Sequence, residues 1–199
     1  MITLPRFRLL EAGLRARGYD TQIDWSETIL PPLSADLFAE EAIYVICNSG
    51  MANRVALSIY NRCLAVLKEG GAAKDVFGHP GKAAAIDRIW LEREELFADY
   101  AAAEDKVEQL RSLPFIGSIT ALHLAKNFGV DTAKPDVHLE RLARRENTTT
   151  EELCARLAAE SGYRVATIDT ILWRACADRI LNSQVYELEG WDAAFKPIP

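Results

Sequence analysis

Apolar positions recur along this chain at three- and four-residue spacing, and no stretch keeps the alternation of a half-buried strand. Residues 34–48, SADLFAEEAIYVICN, start at the cap residue Ser34 and are apolar on most sides, which predicts a helix buried at the centre of the fold. Over 52–69, Val55, Ile59, Cys63 and Leu67 line one stripe; over 81–103, Ile86, Ile89, Trp90 and Phe97 do the same. Thr149 and Glu152, in TTTEEL, are spaced as a capping box and start a further helix. Residues 165–181 align Ile168, Ile171, Leu172, Ala175 and Ile180. Breaks fall at Gly18, Pro31–Pro32, Gly70–Gly71, Gly78–Gly81, Gly129 and Gly162. With no internal repeat and no low-complexity tract, the pattern predicts an all-α protein of roughly eight to ten helices.

Composition narrows the class. A chain of 199 residues, 49% hydrophobic and 26% charged, fits one soluble globular domain or two small lobes around a shared cleft. No apolar run approaches the ~18 residues of a membrane span. The first residues, MITLPRFRLLEAGLRARG, lack the apolar core of a secretory signal. Cys47, Cys63, Cys154 and Cys176 are too far apart in sequence for a zinc knuckle, a C-x-x-C pair or a compact iron–sulfur loop. They read as buried reduced thiols of a cytoplasmic protein. A net charge of −6 argues against indiscriminate nucleic-acid binding but leaves room for a local basic face.

One stretch carries candidate chemistry. Leu110, Leu113 and Ile116 give a short apolar helix face, Pro114 starts a turn, and Gly117 permits backbone geometry or a close approach that a side chain would block. SITALHLAKNF predicts a second helix, with Ser118 as its cap and Gly129 as its stop. The turn would point free backbone N–H groups outward at the start of that helix. Such groups hold an anion, a DNA phosphate included, without reading sequence. A helical hairpin with no ligand has the same pattern. Asp136 follows in a short polar loop, where by position alone it caps the helix starting at Val137.

The run LPFIGSITALHLAKNFGVDTAKPDVHLERLARR resembles the signature of the helix–hairpin–helix (HhH-GPD) DNA glycosylases, the superfamily of endonuclease III and the alkyladenine glycosylases. The family hairpin reads like L-P-G-I-G-x-x-T-A, and its catalytic aspartate follows about twenty residues later in a V-D-x-H context. Leu113, Pro114, Ile116, Gly117, Thr120 and Ala121 match, and Asp136 and His138 fall in the corresponding PDVH. Upstream, AIYVICNSGMANRVALSIYNRC looks like the helix–loop–helix from which family members push a side chain into the DNA stack. The resemblance implies a two-lobed all-α fold: one lobe over 26–130, the other combining 1–25 with 131–199, and an active-site cleft between them. It implies a monomer acting in base excision repair on double-stranded DNA that carries a modified base, with no cofactor.

Two positions depart from the family. Phe115 stands where its first hairpin glycine would be, and a phenylalanine resists positive φ, which puts the turn and its phosphate grip in doubt. Ile119 stands where bifunctional members carry the lysine that attacks the sugar and allows strand cleavage. The resemblance therefore implies a monofunctional enzyme that removes the base and leaves the strand intact. Lys126 lies two helical turns beyond Ile119, and Lys134 beside Asp136 reads as a phosphate or surface contact.

The remaining assignments follow from that chemistry. As the base departs, positive charge builds on the sugar, and the Asp136 carboxylate would stabilise it and orient the attacking water. Gly117, Ser118 and Ile119 would hold phosphate, joined by Lys134 before the following helix and by Arg141, Arg144 and Arg145 on it. Taking a base out of the stack needs a wedge and a pocket. Met51 or Asn53, in NSGMAN, is the wedge candidate, and Trp25, Phe38, Tyr44 and Trp173 are pocket candidates. His138 would orient the Asp136 loop; with three histidines and no ligand spacing, the sequence offers no metal site. Two other activities fit the same residues. One is a glycosylase-like transferase or nucleoside hydrolase acting on a hypermodified base or free nucleoside. The other is a catalytically silent DNA-binding module.

Overall fold

The structure, a computed structural model, describes residues 1–196. Over these residues the chain is all-helical, with one isolated antiparallel bridge between Leu181 and Phe195. The helices are α1 Leu4–Ala16, α2 Asp20–Thr28, α3 Ala35–Asn48, α4 Asn53–Lys68, α5 Pro80–Leu91, α6 Arg93–Ala102 and α7 Lys106–Arg111. There follow α8 Ser118–Asn127, α9 Val137–Arg145, α10 Thr150–Ser161, α11 Val165–Ala177, α12 Ser183–Glu189 and α13 Trp191–Ala194. A 3₁₀ turn at Ala73–Asp75 lies between α4 and α5.

That is more helices than the eight to ten the periodicity predicts. The stretch 81–103 breaks at Glu92, whose ψ of 12° leaves the helical range, so α5 and α6 are separate. Gly190, at φ +93°, divides α12 from α13. At 7 and 4 residues, α12 and α13 carry too few turns to show a period. The Thr149 and Glu152 capping box forms as the sequence predicts. So does the Ser34 cap, whose hydroxyl accepts the Leu37 N–H at 3.2 Å. Val55 is 49% exposed; the buried row of α4 runs through Ala56 to Ile59, Cys63 and Leu67 instead.

The chain divides into two compact units. The first joins Met1–Leu30 to the chain from Gly129 onward, and the second is Pro31–Phe128. Residues 26–30, placed by the sequence with 31–130, belong to the first unit because α2 runs through Thr28 and packs on α11. Positions 197–199 of the expected second lobe lie outside the described residues.

In the first unit α11 is the buried element, packed against α1, α2, α9 and α10. Ile168, Ile171, Leu172 and Ala175 sit in its core with Phe7, Leu10, Leu139, Leu142 and Leu157. In the second unit α3 has that role, against α4, α5, α6 and α8. Phe38 anchors an aromatic cluster there, with ring centroids 5.3 Å from Phe128, 5.5 Å from Tyr100 and 6.0 Å from Phe97. Burial pushes the Tyr100 hydroxyl up to about 12.

Gly129 ends the run that follows α8, in the left-handed conformation at φ +79°. A Cβ there would stand 2.8 Å from the Ile29 carbonyl oxygen. Gly129→Ala is expected to cost at least about 2 kcal/mol, since strain and a backbone clash add. A lowered urea midpoint at unchanged slope checks it; a midpoint within error of wild type contradicts it.

Candidate functional site

In the second unit, α7 and α8 form a helical hairpin. Leu110, Leu113 and Ile116 are buried and pin the turn from below. Leu113 N–H donates to Leu110 O and Ile116 N–H to Leu113 O, so the turn closes on its own backbone. Phe115 takes φ +64° despite its side chain. The expected obstacle to the left-handed turn is thus overcome, and the reason is packing. The Phe115 ring meets His79 edge-on at 5.6 Å, and the Lys82 ammonium lies 5.9 Å from its centroid. Gly81 leaves the space: a Cβ on it would come within 3.3 Å of Phe115 Cε2. These contacts tie the turn to the first turn of α5.

Ser118 is not the cap. It is the first residue of α8, and Gly117 is the cap, with extended backbone (φ −90°, ψ 178°) and no side chain to satisfy the first N–H groups. A Cβ on Gly117 would meet nothing within 4 Å. Its bareness serves no packing inside the chain, and it leaves the exposed start of α8 open to an anion. Ile119 stands 45% exposed on that same turn, as does Phe115. Lys126 is half-buried further along α8.

The 48–53 loop follows α3. Asn53 opens α4, and its side-chain amide donates to Tyr44 Oη at 2.9 Å, so one wedge candidate and one pocket candidate hold each other. Met51 is half-buried in the loop wall. Phe38 is wholly buried in the aromatic cluster and is a core residue, not a pocket wall. Trp25 on α2 is 48% exposed in the first unit. Trp173 on α11 is half-buried there, under the Arg174 guanidinium at 4.5 Å.

Asp136 is the cap of α9. Its Oδ1 accepts the N–H groups of His138 at 2.9 Å and Leu139 at 3.0 Å, and the cap uses this oxygen alone. The His138 ring meets buried Ser183 Oγ at 2.8 Å through Nδ1, which ties the start of α9 to the start of α12. The loop before Asp136 is clamped from the other side. The Lys134 N–H donates to buried Asp169 on α11 at 2.6 Å, and Asp131 accepts the Ala166 N–H at 3.0 Å. Cys176, also on α11, lies close enough that burial and the Asp136 charge push its thiol up to about 12.

The arginines of α9 are engaged within the chain. Arg144 Nε donates to Glu187 at 2.8 Å, Arg141 stands 3.8 Å from the same carboxylate, and Arg145 donates to Leu188 O at 3.2 Å. The Arg144 bond holds the Glu187 carboxyl below the usual range. The expected basic face therefore carries its own counter-ion. Among the described residues no cluster of three or more His, Cys, Asp or Glu side chains could hold a metal ion. None of the helices is long and apolar enough to cross a membrane.

Sequence reasoning missed two acids. Asp169 gave no motif, since the Lys134 N–H it accepts lies 35 residues away in the chain. Glu41 on α3 is half-buried, and Asn127 donates to it at 2.6 Å. Burial pushes its carboxyl above the ordinary value of 4.5. The folded state thus holds a proton that the unfolded chain releases. Stability from this group is full below 4.5 and is lost as pH rises through the raised value. Glu41→Gln is expected to stabilise the protein at neutral pH and to flatten that part of the pH profile. Denaturant midpoints across acid to neutral pH check it, and a profile parallel to wild type counts against it.

Compared with known proteins, the chain matches no family model, no curated protein and no solved structure.

Proposed function

We propose that this chain is a helix–hairpin–helix (HhH-GPD) DNA glycosylase, monofunctional, that flips a modified base from duplex DNA and cleaves its N-glycosidic bond with Asp136. The observation that carries the reading is the coupling of Asp136 to its loop. One oxygen caps α9 while Asp131, Asp169 and Ser183 hold the surrounding backbone and His138. A carboxylate fixed in this way needs no reorganisation when positive charge develops on the sugar. As the C1′–N bond breaks, the base leaves with the electron pair; water then forms the new C1′–O bond, and its proton goes to the carboxylate. The uncapped start of α8 behind bare Gly117 supplies backbone donors for a phosphate. Met51 is the wedge candidate that remains uncommitted, since Asn53 is bonded to Tyr44. The pairing of Arg141 and Arg144 with Glu187 favours a second reading, action on a free nucleoside or hypermodified base, because it weakens the grip on a phosphate backbone. Duplexes that each carry one alkylated, oxidised or deaminated base, assayed beside the free nucleosides, separate the two.

Asp136→Asn keeps the size and the capping oxygen but removes the charge. Folding and binding should survive. Turnover should fall by two or more orders of magnitude, about 3 kcal/mol of transition-state stabilisation. Wild-type turnover by the variant on a verified substrate would leave Asp136 as a cap alone.

Ile119 sets the product. With no amine at that site, the strand should stay intact around an abasic sugar and break only under added alkali or heat. Borohydride should trap no protein–DNA adduct, because no imine forms. An efficient adduct that disappears on substituting Lys126 or Lys134 would overturn the monofunctional assignment.

A further inference from the structure

The second unit holds an open-mouthed cavity of about 610 Å³, between the 49–51 loop, α4 and the start of α5. This lies within the range of small-molecule sites. Its wall carries Lys82, Arg62 and His79 and no carboxylate, although acidic residues outnumber Lys and Arg in the chain by 29 to 23. Lys82 is buried on the first turn of α5. Its ammonium group donates to Ser49 O, which occupies one of three N–H donors. Burial pushes this group below its ordinary value, opposed only by the Cys47 thiol, and no carboxylate lines the cavity. A buried cation without a counter-ion is costly, and an anion entering the cavity would offset that cost.

His79 adds a donor of fixed tautomer. Its Nδ1 accepts the Lys82 backbone N–H at 3.2 Å, so the ring proton of the neutral form sits on Nε2. Arg62 is exposed at the rim, where its planar fork suits phosphate oxygens. The same lining carries the apolar side chains of Met51, Val76 and Phe77, the Phe77 ring 6.2 Å from the His79 ring. Cationic donors, apolar side chains beside them and this volume together match an anion carried on a flat body.

We propose that this cavity binds a nucleotide, its phosphate on Lys82 and Arg62 and its base against Met51 and Phe77. The site contains none of the residues around Asp136 and shares only Met51, the wedge candidate, with the glycosylase reading, so loss of binding on substituting Lys82 or Arg62 leaves that reading untouched. The nucleotide has two possible sources: a free mononucleotide, or a 5′-phosphorylated strand end.

Calorimetric titration of the full chain at low salt with deoxyadenosine monophosphate, deoxyadenosine and inorganic phosphate tests the proposal. The monophosphate should bind at least about tenfold tighter than the nucleoside, as expected for charge-assisted bonds. Arg62→Gln, a change at an exposed position, should weaken the monophosphate several-fold at unchanged thermal midpoint. Lys82→Met should remove the preference for the phosphorylated ligand. Competition by a 5′-phosphorylated tetranucleotide, and not by its unphosphorylated twin, assigns the strand end; failure of both to compete assigns the free nucleotide. Equal affinity for monophosphate and nucleoside, no binding of either at millimolar concentration, or an unchanged affinity in folded Arg62→Gln overturns the proposal.

Discussion

The loop that presents Asp136 is held because α11 is buried on every side and yet carries polar groups. Thr167, Asp169 and Thr170 lie inside the core of the first unit. Each must be satisfied there, since an unpaired buried polar group costs about 1–3 kcal/mol. Thr170 closes on the Ala166 carbonyl at 2.9 Å, Thr167 meets Glu27 from α2, and Asp169 takes the Lys134 N–H. The need to satisfy a helix interior thus fixes α2 and the 131–136 segment together. Asp136 inherits its position from a requirement that has nothing to do with chemistry.

The hairpin in the second unit is organised by a different rule. Residue 115 must adopt positive φ for the turn to close, and a phenylalanine takes it at a strain cost of order 1–3 kcal/mol. The ring offsets that cost by seating on Gly81, His79 and Lys82. Turn, α5 and the 49–51 loop are therefore one connected piece, with Lys82 donating to Ser49 O at its centre. A glycine at 115 would make the turn easier and the connection weaker.

What was legible in the sequence was local. Ser34, Thr149 and Asp136 announce themselves as caps because a cap acts within three or four residues of itself. The buried character of 34–48 follows from its uniform apolarity. What was not legible depends on distant partners. Glu187 lies far along the chain from Arg141 and Arg144, so their local spacing reads as a free basic face. Phe38 reads equally as a pocket or a core aromatic until Tyr100 and Phe128 are found around it. The cap of α8 was displaced by one residue because a glycine cap leaves no side-chain signature, and Ser118 beside it does.

The cysteines have a use that none of the chemistry above gives them. All four are buried and outside any disulfide, Cys47 and Cys63 in the second unit and Cys154 and Cys176 in the first. Alkylation needs an exposed thiolate, and the Cys176 thiol at about 12 is far from one at neutral pH. In the folded protein burial keeps each thiol from reagent, Cys63 included although its hydrogen bond to Cys47 pushes it down, and each reacts only when its own unit opens. The chain therefore carries a built-in pair of clocks, one per unit. Mass-resolved labelling rates would time the loosening of each half separately, with no engineered probe.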